Sequence, residues 1–597
     1  MSIAPTEGRP LDGPGVGGGK LLGSPAAELW AASAAGRLKE RWAEDPIRAT
    51  TEWAKTLADR NALPPTYPLA EAAGWGWLDP TEAKAATAVL AKAGKVRDSR
   101  PLALEQGFGP ASSLYLVAQA YALPALAKVL DAAALWRVVE RLLGEVEAAQ
   151  AESPGEHADG PEVLSHQLLA GEAGLVLAAL LDDVRPARAL RKPAIEALSE
   201  GLLAVTDGEG LLPARCLPAA APLLACWTRC RAVASQVGKK CFDSSAQLHY
   251  EWLVRQMLRL ARPDGSITLG GGAVPPALWT AALGLGGDEG DLAAAGKRIK
   301  VKAPASLPGD AAPEPSVNSE WSGVAVLSSG WKPKAPRLTV AYDDAEMRIE
   351  AAAGKPLVSG SWPIAVTVGG EALEPAGAWE EQCWFADDQS DYLELGIELA
   401  GGAKLERQVF LAHDLGVAFL GEIVLTRFAE PTRIELQSRL PLAAAAAFAP
   451  DKETRDGWIM RGDARLAGVA PVGLAEWRID PRSGELEQAG DALVLRQSAK
   501  ARNLSSPLVL DLKPGRFAKQ RTWRQLTVAE QLERVDPEVA VGYRYQSGKD
   551  QLVVYRSLDP PANRTVLGQN YASEAVIGRF LKTGLVDEYF EVDAGDD

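Results

Sequence analysis

The chain has 597 residues, 47% hydrophobic and 24% charged, a globular composition long enough for two or three cores. Its formal net charge of -15 argues against a general nucleic-acid binder, because a phosphate backbone attracts a basic face; a local basic cleft for an anionic ligand remains compatible with it. No charge-free apolar run reaches the roughly 18 residues of a membrane span, so no membrane association is expected. The opening stretch MSIAPTEGRPLDGPGVGGGK lacks the basic and apolar regions of a secretory signal and reads as a disordered tail over 1–24. As written, the chain is expected in the cytoplasm; a true start further upstream would make it periplasmic or secreted.

Residues 25–269 read as helices. Pro25 to Arg60 holds two short ones, Thr81 to Ala93 an Ala-rich one, and Ser112 to Val129 and Ala132 to Ala149 follow, the first kinked or divided at Pro124. Pro161 to Leu181 is apolar nearly all round after Gln167 and should be a buried helix, with Gly171 and Gly174 letting a neighbour approach closely. Arg191 to Val205 and Ala219 to Val237 come next. The segment DSSAQLHYEWLVRQMLRLAR, 243–262, carries Ala246, Tyr250, Leu253, Met257 and Leu260 as one apolar stripe and Glu251, Arg255, Arg259 and Arg262 as a charged one. Many helices of similar length joined by Pro/Gly loops suggest hairpins closing into an α/α toroid.

Residues 270–316 are Gly-, Ala- and Pro-rich and read as a linker with room for a short helix. From 317 to 597 the period changes to two. LTVAYD, IAVTVGG, YLELGIELAGG, KLERQVFLAHD and VAFLGEIVLT are strand-like, with turns at the Gly pairs 369–370 and 401–402. About a dozen strands with no βαβ rhythm imply a large antiparallel β-sandwich. SEAVIGRFLKTGLVDEYFEVD at the end reads as a short helix or turn and a final strand.

This order resembles the heparinase II/III type of polysaccharide lyase, an incomplete α/α toroid followed by a β-sandwich. The resemblance rests on SHQLLAGE at 165–172, YEWLVRQMLRLARPDGS at 250–266 and SEWSGVAVLSSGW at 319–331. It implies β-elimination on a uronic-acid sugar in an acidic polysaccharide or oligosaccharide. A neutralised carboxylate acidifies the adjacent carbon, a Tyr or His takes the proton, and a Tyr protonates the leaving oxygen.

On that reading His166 and Tyr250 are the expected acid/base pair. Gln167, His249 and Arg255 are the expected substrate-binding residues, with Gln167 or Arg255 at the carboxylate. Each has a structural alternative: a histidine bonded within a bundle, a core tyrosine with its hydroxyl at the rim, a glutamine on a buried carbonyl, and an i, i+4 pair between Glu251 and Arg255. His249 is rotated about 100° from Tyr250, so at most one of them points into a given pocket. A non-catalytic glycan- or protein-binding relative is the first alternative function, and an α/α-toroid glycoside hydrolase using Glu172 or Glu251 the second.

Cys216, Cys226, Cys230, Cys241 and Cys383 are odd in number and lack a CxxC knuckle. They read as small apolar side chains, so neither a disulfide framework nor a metal is expected, nor is any cofactor. Asp387, Asp388 and Asp391 read as a solvated hairpin tip rather than a calcium loop.

Overall fold

The computed structural model describes residues 45–60, 63, 111–155, 157–270, 274–301, 312–480 and 484–593. The tail over 1–24 and the helix over 81–93 lie outside them. An incomplete α/α toroid of helices is followed by stacked antiparallel sheets. The helices are α1 (Pro46–Ala58), α2 (Ala111–Leu126), α3 (Ala132–Gln150), α4 (Gly160–Leu180), α5 (Arg185–Ala189), α6 (Arg191–Ala204), α7 (Ala220–Gln236), α8 (Ser244–Leu260), α9 (Pro276–Gly286) and α10 (Glu289–Arg298). Pro124 falls in the last turn of α2 and does not divide it.

Helix α4 is long and apolar enough to cross a membrane, yet 78% of its apolar window is buried inside the protein. It runs as α over Gly160–His166, as π over Gln167–Ala173 and as α again over Gly174–Leu180. Its glycines let neighbours in: a Cβ on Gly171 would sit 2.5 Å from Leu198 of α6, and one on Gly174 would sit 2.7 Å from Gln150 of α3. Helix α8 is capped by Asp243, whose carboxylate accepts from Ala246 N at 2.8 Å. The five residues of its apolar stripe are all fully buried.

The toroid extends further than the linker predicted over 270–316. Helices α9 and α10, of 11 and 10 residues, lie within that stretch. The first buries Leu278, Trp279, Ala282 and Leu283, and the second opens on a capping box between Asp288 and Asp291. Enough apolar spacing survives among the glycines to build two more turns of core.

Twenty-seven strands follow among the described residues. An eight-stranded sheet is the middle layer, ordered β13 (Ala447–Pro450), β14 (Gly457–Arg461), β15 (Ala464–Ala470), β18, β11, β10, β9 and β8 (Glu380–Ala386). Its long members are β9 (Ser390–Leu399), β10 (Ala403–Ala412), β11 (Val417–Thr426) and β18 (Asn503–Asp511). Leu393, Leu395, Leu405, Leu411 and Leu420 face one core, shared with the sheets of residues 317–361 and 432–501. Tyr392, Phe410, Phe419 and Val509 face another, shared with the C-terminal sheet. A sheet covered on both faces needs apolar residues at both parities, which is why VAFLGEIVLT does not alternate. The C-terminus forms a hairpin of β26 (Ala575–Phe580) and β27 (Val586–Val592): the predicted final strand is there, and β26 stands where a short helix or turn was expected.

The halves share a core. Val324, Val326 and Ala341 from the first sheet, and Trp331 from the turn between two of its strands, join the helical cluster. Arg337 Nη1 donates to the carbonyls of Arg259 and Ala261, and Arg262 forms an ion pair with the buried Glu350. Ala214 N donates to Ser322 O at 2.8 Å.

Candidate functional site

The five expected site residues do not converge. Tyr250 is wholly enclosed, its hydroxyl 2.9 Å from Thr228 Oγ1, its ring near Phe242 and against Gly286. It belongs to the α8 core stripe and reaches no solvent, so it is not available as acid or base. Gln167 is equally buried. Its Nε2 donates to Ala197 O at 2.8 Å and its Oε1 accepts from Trp227 Nε1 at 2.8 Å, which ties α4 to α6 and α7 and leaves nothing for a substrate carboxylate.

Arg255 is not paired with Glu251, as the i, i+4 reading had it. Its Nε donates to Asp291 Oδ1 at 2.9 Å and its Nη2 pairs with Asp288, both at the start of α10. Two carboxylates on one guanidinium leave little positive charge for a ligand. Glu251 accepts from Gln247 at 2.5 Å.

The two remaining histidines keep partial exposure. His166 donates from Nε2 to the Glu152 carbonyl at 3.0 Å, and its Nδ1 is buried without a partner. His249 differs. Its Nδ1 lies 2.8 Å from Thr206 Oγ1, and Thr206 Oγ1 is 2.7 Å from the carbonyl of Leu202. A carbonyl only accepts, so the single hydroxyl proton of Thr206 goes to Leu202 O. Oγ1 therefore accepts from His249 Nδ1–H, and a neutral His249 carries its lone pair on Nε2. Among the described residues that nitrogen has no hydrogen-bond partner.

The residues beside His249 belong to the helical half, and the loop that covers them is bonded to the sheet half. Trp252, one turn on, lies with its ring centroid 5.3 Å from the imidazole. The loop after α6 covers Trp252 so closely that a Cβ on Gly210, at φ +82, would meet Leu253 N at 2.5 Å. Asp207 Oδ1 organises that loop by accepting from Glu209 N and Leu211 N at 2.9 and 2.8 Å. Ser322 Oγ donates to Leu211 O at 3.1 Å, which carries the sheet half against the loop. Next to Ser322, Trp321 stands 57% exposed. Beyond it, at Ala214, the guanidinium of Arg348 donates to the carbonyl. Sequence reasoning missed Thr206, Trp252 and Trp321; the only local signal was a Thr-Asp-Gly turn at the end of a helix.

Two other clusters carry charge. The π turn of α4 pushes Glu172 into the toroid interior, where Arg229 of α7 grips it through Nε and Nη2 at 2.5 and 2.7 Å and Tyr121 donates to it at 2.9 Å. Glu172, Cys226 and Cys230 offer donor atoms within 4.8 Å of one another. Both carboxylate oxygens are engaged by Arg229, and burial pushes both thiols up, so thiolate ligands are disfavoured. Glu172 is thus no glycosidase carboxylate open to a sugar.

Asp391, expected at a solvated tip, is buried. Its Oδ2 accepts from Ser316 Oγ and Ser328 N at 2.8 Å each and from His413 Nε2 at 3.0 Å. Burial opposes the charged imidazole of His413, but the hydrogen bond and charge of Asp391 raise its pKa above the usual 6.5.

No family model and no curated protein matches the chain. Solved structures do. A heparinase III shares 10% identity over 89% of this chain and 99% of that one, with a TM-score of 0.60. A second heparinase III shares 12% over 87% and 83%, at 0.53. A mutant of the heparan sulfate lyase HepC from Pedobacter heparinus shares 11% over 91% and 85%, at 0.51. Identities this low speak to the fold alone: the chain is similar to polysaccharide lyases in its helical toroid, in its sheets and in their order.

Proposed function

We propose that the protein binds an acidic polysaccharide along the junction of its two halves and cleaves it by β-elimination, with His249 as the base. The observation that supports this is the tautomer of His249: Thr206 occupies Nδ1, so the lone pair a base needs is on Nε2, beside Trp252. The proton on the carbon next to the uronate carboxylate passes to Nε2. The C–H electron pair becomes the new carbon–carbon double bond, the bond to the leaving oxygen breaks, and the imidazolium returns its proton to that oxygen. The exposed Trp321, on the sheet side of the junction, offers a flat apolar face for a sugar ring. The solved relatives are named for heparan sulfate lyase and heparinase III activities, which suits an acidic substrate.

A second reading, glycan binding without cleavage, is favoured by one fact. The expected phenol and amide, Tyr250 and Gln167, are both enclosed. One assay separates the two: a panel of uronate polymers followed by the ultraviolet absorbance of the unsaturated product. Cleavage predicts product with the native chain and a loss of about 10²-fold or more in His249→Ala, with Tyr250→Phe active. Retention of a polymer on the protein with no absorbance from any member of the panel would establish the second reading instead.

A further inference from the structure

Beyond the junction, the sheet of residues 432–501 turns a polar face outward over a concavity of about 1080 Å³. Strand β12 (Thr432–Pro441) alternates strictly: Ile434, Leu436 and Leu440 enter the core, while Arg433, Glu435 and Gln437 point out. The register places Gln437 opposite Arg496 and Glu435 between Ser498 and Thr367, so one face carries a continuous polar floor. Its charges are largely settled: Arg433 pairs with Glu435, Arg496 with Glu487, and Glu485 with Arg478, while Glu346 and Glu374 are exposed at the edge.

Arg348 is different. It lines the concavity, is half-buried, and spends one donor on the carbonyl of Ala214 in the helical half. Among the described residues no carboxylate lies within ion-pair distance of it. Burial pulls its pKa below the usual 12.5, with Glu346 and Asp343 opposing from further away. A half-buried cation with no carboxylate in ion-pair contact, at the rim of a polar trough, is where an anionic group gains most. Ala214 is also bonded to Ser322, the neighbour of Trp321, so Arg348 links the trough to the junction through Ala214.

We infer that this trough is a second binding surface for the same acidic chain: Arg348 takes a carboxylate or sulfate, and the floor of Gln437, Ser498 and Thr367 takes sugar hydroxyls. The inference rests on the junction reading and extends it from one sugar to a track.

The test is calorimetric titration of the native chain with tetra- and dodecasaccharides cut from a uronate polymer, and with a neutral dodecasaccharide. The acidic dodecasaccharide is expected to bind at least tenfold tighter than the tetrasaccharide. Ser498→Trp, which fills the trough without touching the junction, should remove that advantage while leaving tetrasaccharide affinity unchanged, and Arg348→Gln should remove it too. Thermal melts of both variants check that they fold, since Arg348 also braces Ala214. Equal binding of the two acidic lengths, or a length advantage that survives both variants, overturns the second surface but leaves the junction reading standing. Equal binding of the neutral chain overturns the role of Arg348. No binding of either acidic fragment removes both readings.

Discussion

A neutral imidazole has one lone pair, and which nitrogen holds it is decided by what the other nitrogen touches. At His249 the decision lies with Thr206, whose own proton is committed to Leu202 O at 2.7 Å. Replacing Thr206 by Val keeps the shape and removes the acceptor, so the two tautomers should approach equal population. Nitrogen chemical shifts of His249 read this directly, with no substrate needed. In Thr206→Val the Nε2-bare form should fall from dominant to mixed, and any elimination rate should drop severalfold without a matching change in binding. Unchanged shifts would mean that the Thr206 contact does not set the ring. Tyr250, one residue on, shows what the sequence disclosed. Its place in a stripe with Leu253 and Met257 announced burial, and helix geometry turns His249 some 100° away toward the rim. Nothing local announced Thr206, because the contact joins positions 43 residues apart.

At the level of elements, the glycines and the glutamine of α4 and α6 form one fitted contact. Gly201 of α6 lies directly under the amide of Gln167, and a Cβ there would overlap it. In an ordinary helix interior Gly→Ala stabilises by about 1 kcal/mol. Here Gly201→Ala must displace an amide bonded to both Ala197 O and Trp227 Nε1. It should destabilise the fold by about 1–3 kcal/mol, read as a lower midpoint in denaturant unfolding. A stabilised variant would show that α4 and α6 can part freely. The close approach at Gly171 and Gly174 was legible, since glycines in an apolar helix have few other uses. The π turn was not, because a widened turn is dictated by what it must reach, here Arg229 for Glu172. The strands of the middle sheet were legible as strands but not by face. With both sides covered, β11 loses the alternation that would have assigned Phe419 and Leu420 to opposite cores. In the last hairpin the final strand was legible and β26 was not, for the opposite reason: its apolar run AVIGRF is too short for periodicity to separate strand from helix.

The two halves are held as one molecule by charge as well as by shared core. Glu350, on the first sheet, is 1% exposed and receives Arg262 from the end of α8, with Arg337 at 3.7 Å. Burial alone would raise its pKa. The hydrogen bond and charge of Arg262, reinforced by Arg337, outweigh that and hold it below the ordinary 4.5. A carboxyl with a depressed folded pKa contributes stability that is fully present above its unfolded pKa of about 4.3 and lost as the pH falls through the folded value. Between pH 6 and 5 this contribution should therefore be constant, and below about pH 4 the junction should weaken. Glu350→Gln leaves two buried guanidinium groups facing a neutral amide and should cost about 3–5 kcal/mol near neutrality. The decisive measurement is the apparent unfolding midpoint of both chains from pH 6 to pH 3. The gap between native and Glu350→Gln should be wide at pH 6 and close on acidification, because protonating Glu350 does by pH what the substitution does by chemistry. A gap of constant width would place the acid sensitivity elsewhere. The layout of two halves was readable from the change of period near residue 317, but their coupling was not: Arg262 and Glu350 stand 88 positions apart, and each alone reads as a surface charge.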